Sequence, residues 1–224
     1  MSGRRGQYLL AAGAAAFIMV VLLRAAPAQT LASYPQRATA RYTKYIAVGE
    51  PTLPPIGWVR FCIRNKSECK TDPSTPREVV LTPKAWVHMV NINDQANRNI
   101  GPMTSIEHWG EVERWAYPDD GKGDCVSYVL IKRRRLMQAG WPREALLITL
   151  VRDKRGNGHA VLMVKTDRGE FILDNEEQEI LPWDKTGYHL LKQQSQSDPN
   201  KWFALDSNNV LRAASKQYNG VRRQ

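Results

Sequence analysis

The spacing of apolar residues changes character once along this chain, near Gly140, and that change limits what the chain can fold into. Upstream, Thr82-Pro83 reads as an N-cap followed by proline in the first helical turn. Trp86, Met89, Val90, Asn93 and Ile100 then follow at roughly helical spacing. Residues 101–122 read as a loop with short helical pieces, ending in the turn cluster Asp119-Asp-Gly-Lys-Gly123. Asp124 is placed to cap a second helix with Cys125 in its first turn. Val126, Val129, Leu130, Arg133, Leu136 and Met137 give that helix an apolar stripe with a basic back, and Gly140 and Pro142 end it. Downstream, Ala145 to Val151 is apolar and β-branched, and Arg152 to Gly158 is a polar turn. His159 to Thr166 is apolar on both faces, which places it inside a sheet. Asp167-Arg168-Gly169 turns the chain, Glu170 to Asp174 returns it, and Tyr188 to Lys192 and Lys201 to Leu205 read as two further strands. Helices first and an antiparallel sheet after them is an α+β arrangement.

The N-terminus bears on the compartment. Arg4 and Arg5 form a basic region, Leu9 to Leu23 an uncharged and mostly apolar run, and Ala26-Pro27-Ala28 offers small residues where a signal peptidase reads. As a helix, the apolar run would span about 22 Å, short of a ~30 Å hydrocarbon core. Residues 1–28 are therefore expected to be a cleaved signal, with membrane contact only through that segment. Its removal takes away three arginines and no acids, lowering the net charge from +10 to +7. A basic chain raises the question of nucleic acid. Export, and the lack of any recognition-helix or stacking-aromatic pattern, argue against such a partner. Lys132-Arg-Arg-Arg135 and the tail Val221-Arg-Arg-Gln224 read as a solvated helix face and a frayed end. The expected organisation is a signal over 1–28 and an extended lead-in with the Cys62/Cys69 loop over 29–82. A catalytic domain over 83–210 and a flexible basic tail over 211–224 follow.

Cysteine usage fits export. Cys62 and Cys69 are close enough in sequence to pair in an oxidising compartment, which leaves Cys125 over. A bridge closing so short a loop contributes about 2.5 kcal/mol on the chain-entropy estimate. A leftover thiol in an exported protein is a hazard, and its surroundings point to a use. A helix N-terminus stabilises a thiolate. A nucleophile also needs a base and a group to orient that base. Of the four histidines, His88 lies in the helix starting at Pro83, His108 precedes Trp109 in a loop, and His189 lies in a late strand. His159 opens the interior strand just after Gly156-Asn-Gly158, and Asp174 lies one strand and one turn beyond it. With Thr166 paired to Gly169, Asp174 faces Val161 and lies diagonal to His159 on the same face. With Thr166 paired to Glu170, Asp174 faces Leu162 and the two side chains fall on opposite faces. Both registers are open at this level. No Cys-x-x-Cys or paired-histidine spacing occurs, so no metal site is expected.

Gly123-Asp-Cys125, Gly158-His-Ala-Val-Leu162 and Phe171-Ile-Leu-Asp-Asn175, in that order, resemble the bacterial transglutaminase-like cysteine proteinases. That family includes periplasmic enzymes that clip large adhesins from the cell surface. The resemblance covers most of residues 83–205. It implies a papain-like fold, with a cysteine-bearing helix packed on an antiparallel sheet, and a triad of Cys125, His159 and Asp174. Many members read Asp-Cys-Glu-Asp at the nucleophile, and in the adhesin-clipping branch those acids take part in calcium binding. Here Val126 and Ser127 stand in place of two of the acids. Calcium prefers six to eight oxygen ligands, so the calcium site of the relatives is expected to be lost and no cofactor is expected.

The expected activity is peptide-bond hydrolysis by thiolate attack, through a thioester that water resolves. The Cys125 backbone N–H and the Trp115 indole N–H are the candidate oxyanion donors. The expected substrate is a protein of the cell envelope, with a surface adhesin among the candidates, and the expected location is periplasmic or secreted. A transglutaminase or amidase using the same triad is the nearest alternative, on envelope proteins or cell-wall peptides. A non-catalytic envelope-binding module is the alternative from another class. A probe that labels active thiols separates the two enzyme readings from the third.

Overall fold

Capping chemistry sets where the helices begin. Residues 45–71 and 77–205 are described by a computed structural model of the protein. The expected signal over 1–28, the tail over 211–224 and most of the Thr71 to Pro76 loop lie outside the described residues. The helices are α1 (Ile56–Arg64), α2 (Pro83–Asn99), α3 (Ser105–Trp109) and α4 (Cys125–Gln138). The strands are β1 (Val48–Thr52), β2 (Gly101–Pro102), β3 (Lys122–Gly123), β4 (Leu146–Arg152), β5 (Gly158–Thr166), β6 (Gly169–Leu173), β7 (Leu181–Pro182), β8 (His189–Gln194) and β9 (Trp202–Leu205). Thr82 accepts the Ala85 N–H at 3.1 Å and Pro83 occupies the first turn, so α2 starts where its sequence predicts. Thr104 and Glu107 form a capping box at the start of α3.

Seven strands form one sheet in the order β1-β9-β8-β4-β5-β6-β7, with every neighbour pair antiparallel. β2 and β3 pair in parallel as a separate small ladder. β5 lies between β4 and β6, which accounts for its apolar character on both faces. Ala160, Leu162 and Val164 pack beneath the helices with Trp86, Met89, Val129 and Leu130. Val161 and Met163 pack on the opposite face with Ile172, Trp183 and Leu190. The fold is α+β and transglutaminase-like, with the cysteine-bearing helix packed on an antiparallel sheet through β5.

The structure departs from the sequence expectation in two places. Residues 48–64 are not an extended lead-in. β1 pairs with β9 at the sheet edge, and α1 buries Trp58 and Phe61 in the main core. The three prolines of this stretch suggested irregular chain, yet Pro51 sits in an edge strand, where a missing N–H is tolerated, and Pro55 is the N-cap of α1. The second departure concerns the basic run of α4. Lys132 and Arg133 are each only 1% exposed, because α4 lies between α2 and β5 and that face is interior. Arg133 donates to Glu68 Oε2 at 3.0 Å and to the Leu146 carbonyl at 3.3 Å. Tyr117 donates to the other Glu68 oxygen at 2.6 Å. Glu68 lies inside the loop closed by the Cys62–Cys69 disulfide, so the bridge holds a carboxylate against α4.

Candidate active site

Cys125 is the first residue of α4, and the chain is shaped to place it there. Asp124 adopts an extended conformation and its Oδ1 accepts the Ser127 N–H at 3.1 Å and the Ser127 hydroxyl at 3.3 Å. Its Oδ2 lies 3.0 Å from the Ser105 hydroxyl, which is also 3.2 Å from the Arg114 carbonyl. Asp124 therefore faces the helix N–H groups, and its charge is turned away from the sulfur by its own cap. Gly123 is required beside it: a Cβ there would lie 2.4 Å from the Ser127 Cβ. The Cys125 thiol is free and half-buried, at the end of the helix whose N–H groups have no intrahelical acceptors.

His159 is the second residue of β5, opposite Val151 of β4. The turn after β5 is the two-residue one, with Thr166 paired to Gly169, and the β5–β6 ladder runs as far as Leu162 and Leu173. One residue further on, Asp174 faces the position of Val161 and reaches diagonally to His159. His159 Nε2 is 2.8 Å from Asp174 Oδ1, and the two side chains are 3% and 2% exposed. Asp174 Oδ2 accepts the Tyr188 hydroxyl at 2.5 Å, and Oδ1 also accepts the Glu176 N–H at 3.1 Å. The Tyr188 ring stands edge-on to the imidazole at 5.8 Å. From α2, Asn97 donates to the Asp174 carbonyl at 2.8 Å.

These contacts set the charge state. Burial alone would lower the His159 pKa. The Asp174 hydrogen bond, followed by the interaction with Cys125, outweighs burial and pushes it up to about 10. Burial would raise Asp174, and the bonds from His159, Tyr188 and Glu176 hold it below its ordinary value. Nε2 is the ring nitrogen committed to the carboxylate. The result is an imidazolium anchored by a buried carboxylate beside a thiol at a helix N-terminus.

The other histidines are placed elsewhere. His88 accepts from the Trp141 indole at 3.2 Å, His108 pairs with Asp120 at 2.9 Å and stacks on Trp109, and His189 opens β8 on an exposed position. Trp115 is 3% exposed and stands edge-on to Trp58 and Trp202. Its indole edge lies so close to Gly57 that a Cβ there would come 2.3 Å from Nε1. Tyr188 and Ser105 escaped the sequence reading. In the sequence Tyr188 reads as a strand residue, and nothing in the spacing marks a phenol for Asp174.

A free thiol at a helix N-terminus and a buried histidine–carboxylate pair are the groups that a cysteine-nucleophile hydrolase or acyltransferase uses. The chain belongs to the bacterial transglutaminase-like cysteine proteinases (BTLCP), whose family model matches residues 48–210. Among solved structures it is similar to calcium-bound LapG of Legionella pneumophila, at 20% identity over 62% of this chain and 82% of that one, with a TM-score of 0.47. A second LapG structure from the same organism is 22% identical over 62% and 79% of the two chains, with a TM-score of 0.46. The EGTA-treated form gives 20%, 62% and 81%, with a TM-score of 0.42. No curated protein matches the chain.

Replacing Asp174 by Asn removes the carboxylate that holds the imidazolium, leaving burial to pull the His159 pKa down. Each unit of fall is about a tenfold loss of imidazolium above the new value. Cys125 alkylation by iodoacetamide at pH 8 is expected to slow by roughly tenfold or more in Asp174→Asn. An unchanged rate would separate the thiol from the His159–Asp174 pair.

Proposed function

We propose that the protein is an exported cysteine peptidase that cleaves an envelope protein through Cys125, His159 and Asp174. The observation that carries this reading is the buried His159–Asp174 bond, with Cys125 among the groups that act on the imidazole. The thiolate attacks the peptide carbonyl, and the Cys125 backbone N–H faces the oxyanion. The Trp115 indole, expected as the second donor, has its Nε1 edge packed against Gly57 in the core and is not assigned that role. His159, still charged at neutral pH, gives its proton to the leaving amine and the thioester forms. The neutral imidazole then takes a proton from water, whose oxygen attacks the thioester and releases the acid. Asp174 holds the ring through both steps without reacting.

An open groove of about 560 Å³ is lined by Trp109, Arg114, Tyr117, Asp119 and Asp120 among others, and not by Cys125, His159 or Asp174. It offers aromatic faces and both signs of charge, as an extended peptide with mixed side chains requires. Export is supported by the character of residues 1–28 and by the Cys62–Cys69 bridge. Among the described residues no helix is long and apolar enough to cross a membrane. A surface adhesin is one substrate of the right class, as the family resemblance implies.

The donor set at the nucleophile does not fit calcium. Val126 is buried in the main core, and Ser127 turns its hydroxyl onto Asp124. Both Asp124 oxygens already accept from Ser127 and Ser105, so the cap carboxylate is engaged by protein hydrogen bonds. We infer that activity is independent of calcium.

Cys125→Ala is expected to abolish cleavage without unfolding the protein. Secreted and surface proteins of wild-type and Cys125→Ala cells then differ by at least one envelope protein that stays full-length in the variant. Identical profiles would count against a peptidase. For calcium, chelation is expected to leave Cys125 alkylation and melting temperature unchanged. Calorimetric binding tighter than roughly 10 μM, the weak end of the sensor range, with loss of activity on stripping, would reverse that inference.

A further inference from the structure

α1 is apolar on two sides, and the core covers one of them. Trp58 and Phe61 enter the main core. Ile56, Val59 and Ile63 fall on another face, because positions three, four and seven apart line up along a helix. That face is open: Ile63 is 69% exposed and Ile56 51%. Leu53, just ahead of the helix, is 81% exposed. An open groove of about 440 Å³ adjoins the ridge, with Pro54, Trp58, Val59, Ile63, Lys66 and Asn200 on its walls. A helix that is apolar all round is ordinarily buried, and a contiguous exposed aliphatic patch marks a contact surface.

The charge around this face selects its occupant. From Leu53 to Ser67 the chain carries Arg60, Arg64 and Lys66 and no acid. Arg60 is exposed and shares the face of Ile56 and Ile63, and Lys66 lies on the groove wall. Lys192 reaches across from β8 and donates to the Leu53 carbonyl at 2.9 Å. The carboxylates nearby are engaged, Glu68 by Arg133 and Tyr117 and Asp198 by Asn200. The patch is therefore an aliphatic ridge with a cationic rim. A second copy docked through the same patch about a two-fold axis would set cations against cations. Residues 1–44 and 211–224 of this chain carry arginines and lysines and no acid, so they meet the same repulsion. The rim requires a broad negative surface, and the ridge requires apolar material just beneath it. An anionic bilayer supplies both.

We propose that the outer face of α1 docks the protein onto an anionic phospholipid surface. Leu53, Ile56, Val59 and Ile63 enter the boundary between headgroups and acyl chains, while Arg60 and Lys66 meet lipid phosphates. This contact is separate from the apolar run at residues 9–23 and survives removal of residues 1–28. It does not depend on the triad reading, since no residue of α1 belongs to Cys125, His159 and Asp174. Each basic residue at such a surface contributes about a fivefold gain in partitioning, and salt screens that gain. Docking holds the domain beside the membrane, where envelope proteins emerge, without altering the chemistry at Cys125.

Protein from a periplasmic extract, the form in which the chain exists after export, is tested by co-sedimentation with vesicles. Vesicles of phosphatidylcholine with phosphatidylglycerol are expected to carry it down, and added salt to release it. Vesicles of phosphatidylcholine alone are expected to leave it in solution. The pair Ile56→Ser and Ile63→Ser is expected to weaken binding roughly tenfold or more through lost aliphatic insertion. The pair Arg60→Ser and Lys66→Ser is expected to weaken it by roughly tenfold or more through lost charge. These positions are exposed, so melting temperature and Cys125 alkylation are expected to stay at wild-type values, which reports an intact fold. Wild-type protein that ignores anionic vesicles, binds both kinds alike or resists salt would overturn the proposal, as would folded variants that bind like wild type. A photocrosslinker at position 63 in cells identifies any other occupant. An adduct of twice the mass would replace the membrane with a second copy, and an adduct with another protein would replace it with an acidic protein partner.

Discussion

The hydrogen bond between His159 and Asp174 depends on a register, and the register depends on a turn. Two residues, Asp167 and Arg168, separate β5 from β6, so Thr166 pairs with Gly169. Side chains alternate between faces along a strand, so a slip of one position would move Asp174 to the other face of the sheet. The arrangement around Cys125 follows from this one geometric choice. With Asp174 diagonal to His159, the imidazole is anchored at Nε2. Tyr188, the Glu176 N–H and Asn97 then surround the carboxylate and remove its freedom to turn away.

The helix that carries Cys125 packs within the core. α4 packs against α2 and β5, and Lys132 and Arg133 of its basic run are interior. Arg133 is matched by Glu68, which the Cys62–Cys69 bridge holds in place. This buried cation ties the helix to the disulfide loop. In an exported protein the bridge forms where the substrate is met, so the brace on α4 and the proposed workplace share one redox condition.

Much of this was legible in the sequence because the signals were local. Thr82-Pro83 marked the start of α2, Asp124 marked the cap before Cys125, and the two-sided apolar character of β5 marked an interior strand. The α+β class followed from their order. The histidine and aspartate could be picked out, but their meeting could not, since two turn lengths gave opposite faces. The hidden parts were those that depend on distant chain. Pro51, Pro54 and Pro55 read as irregular because β9, the partner that makes β1 a strand, lies about 150 residues away. Lys132 and Arg133 read as solvated because charge runs usually are. Only the packing of α2 over α4, and Glu68 arriving from another segment, makes that face interior. Tyr188 was invisible for the same reason: its role exists only once β8 is placed near the end of β6.

The central claim is that a buried carboxylate keeps His159 charged beside Cys125, and the protonation state of one ring tests it most directly. In protein labelled with ¹⁵N-histidine, the ring nitrogens report whether one or both carry a proton. The account predicts that His159 stays doubly protonated through pH 8 and titrates near 10. A His159 ring that is neutral at pH 8, titrating near an ordinary value of ~6.5, would contradict it.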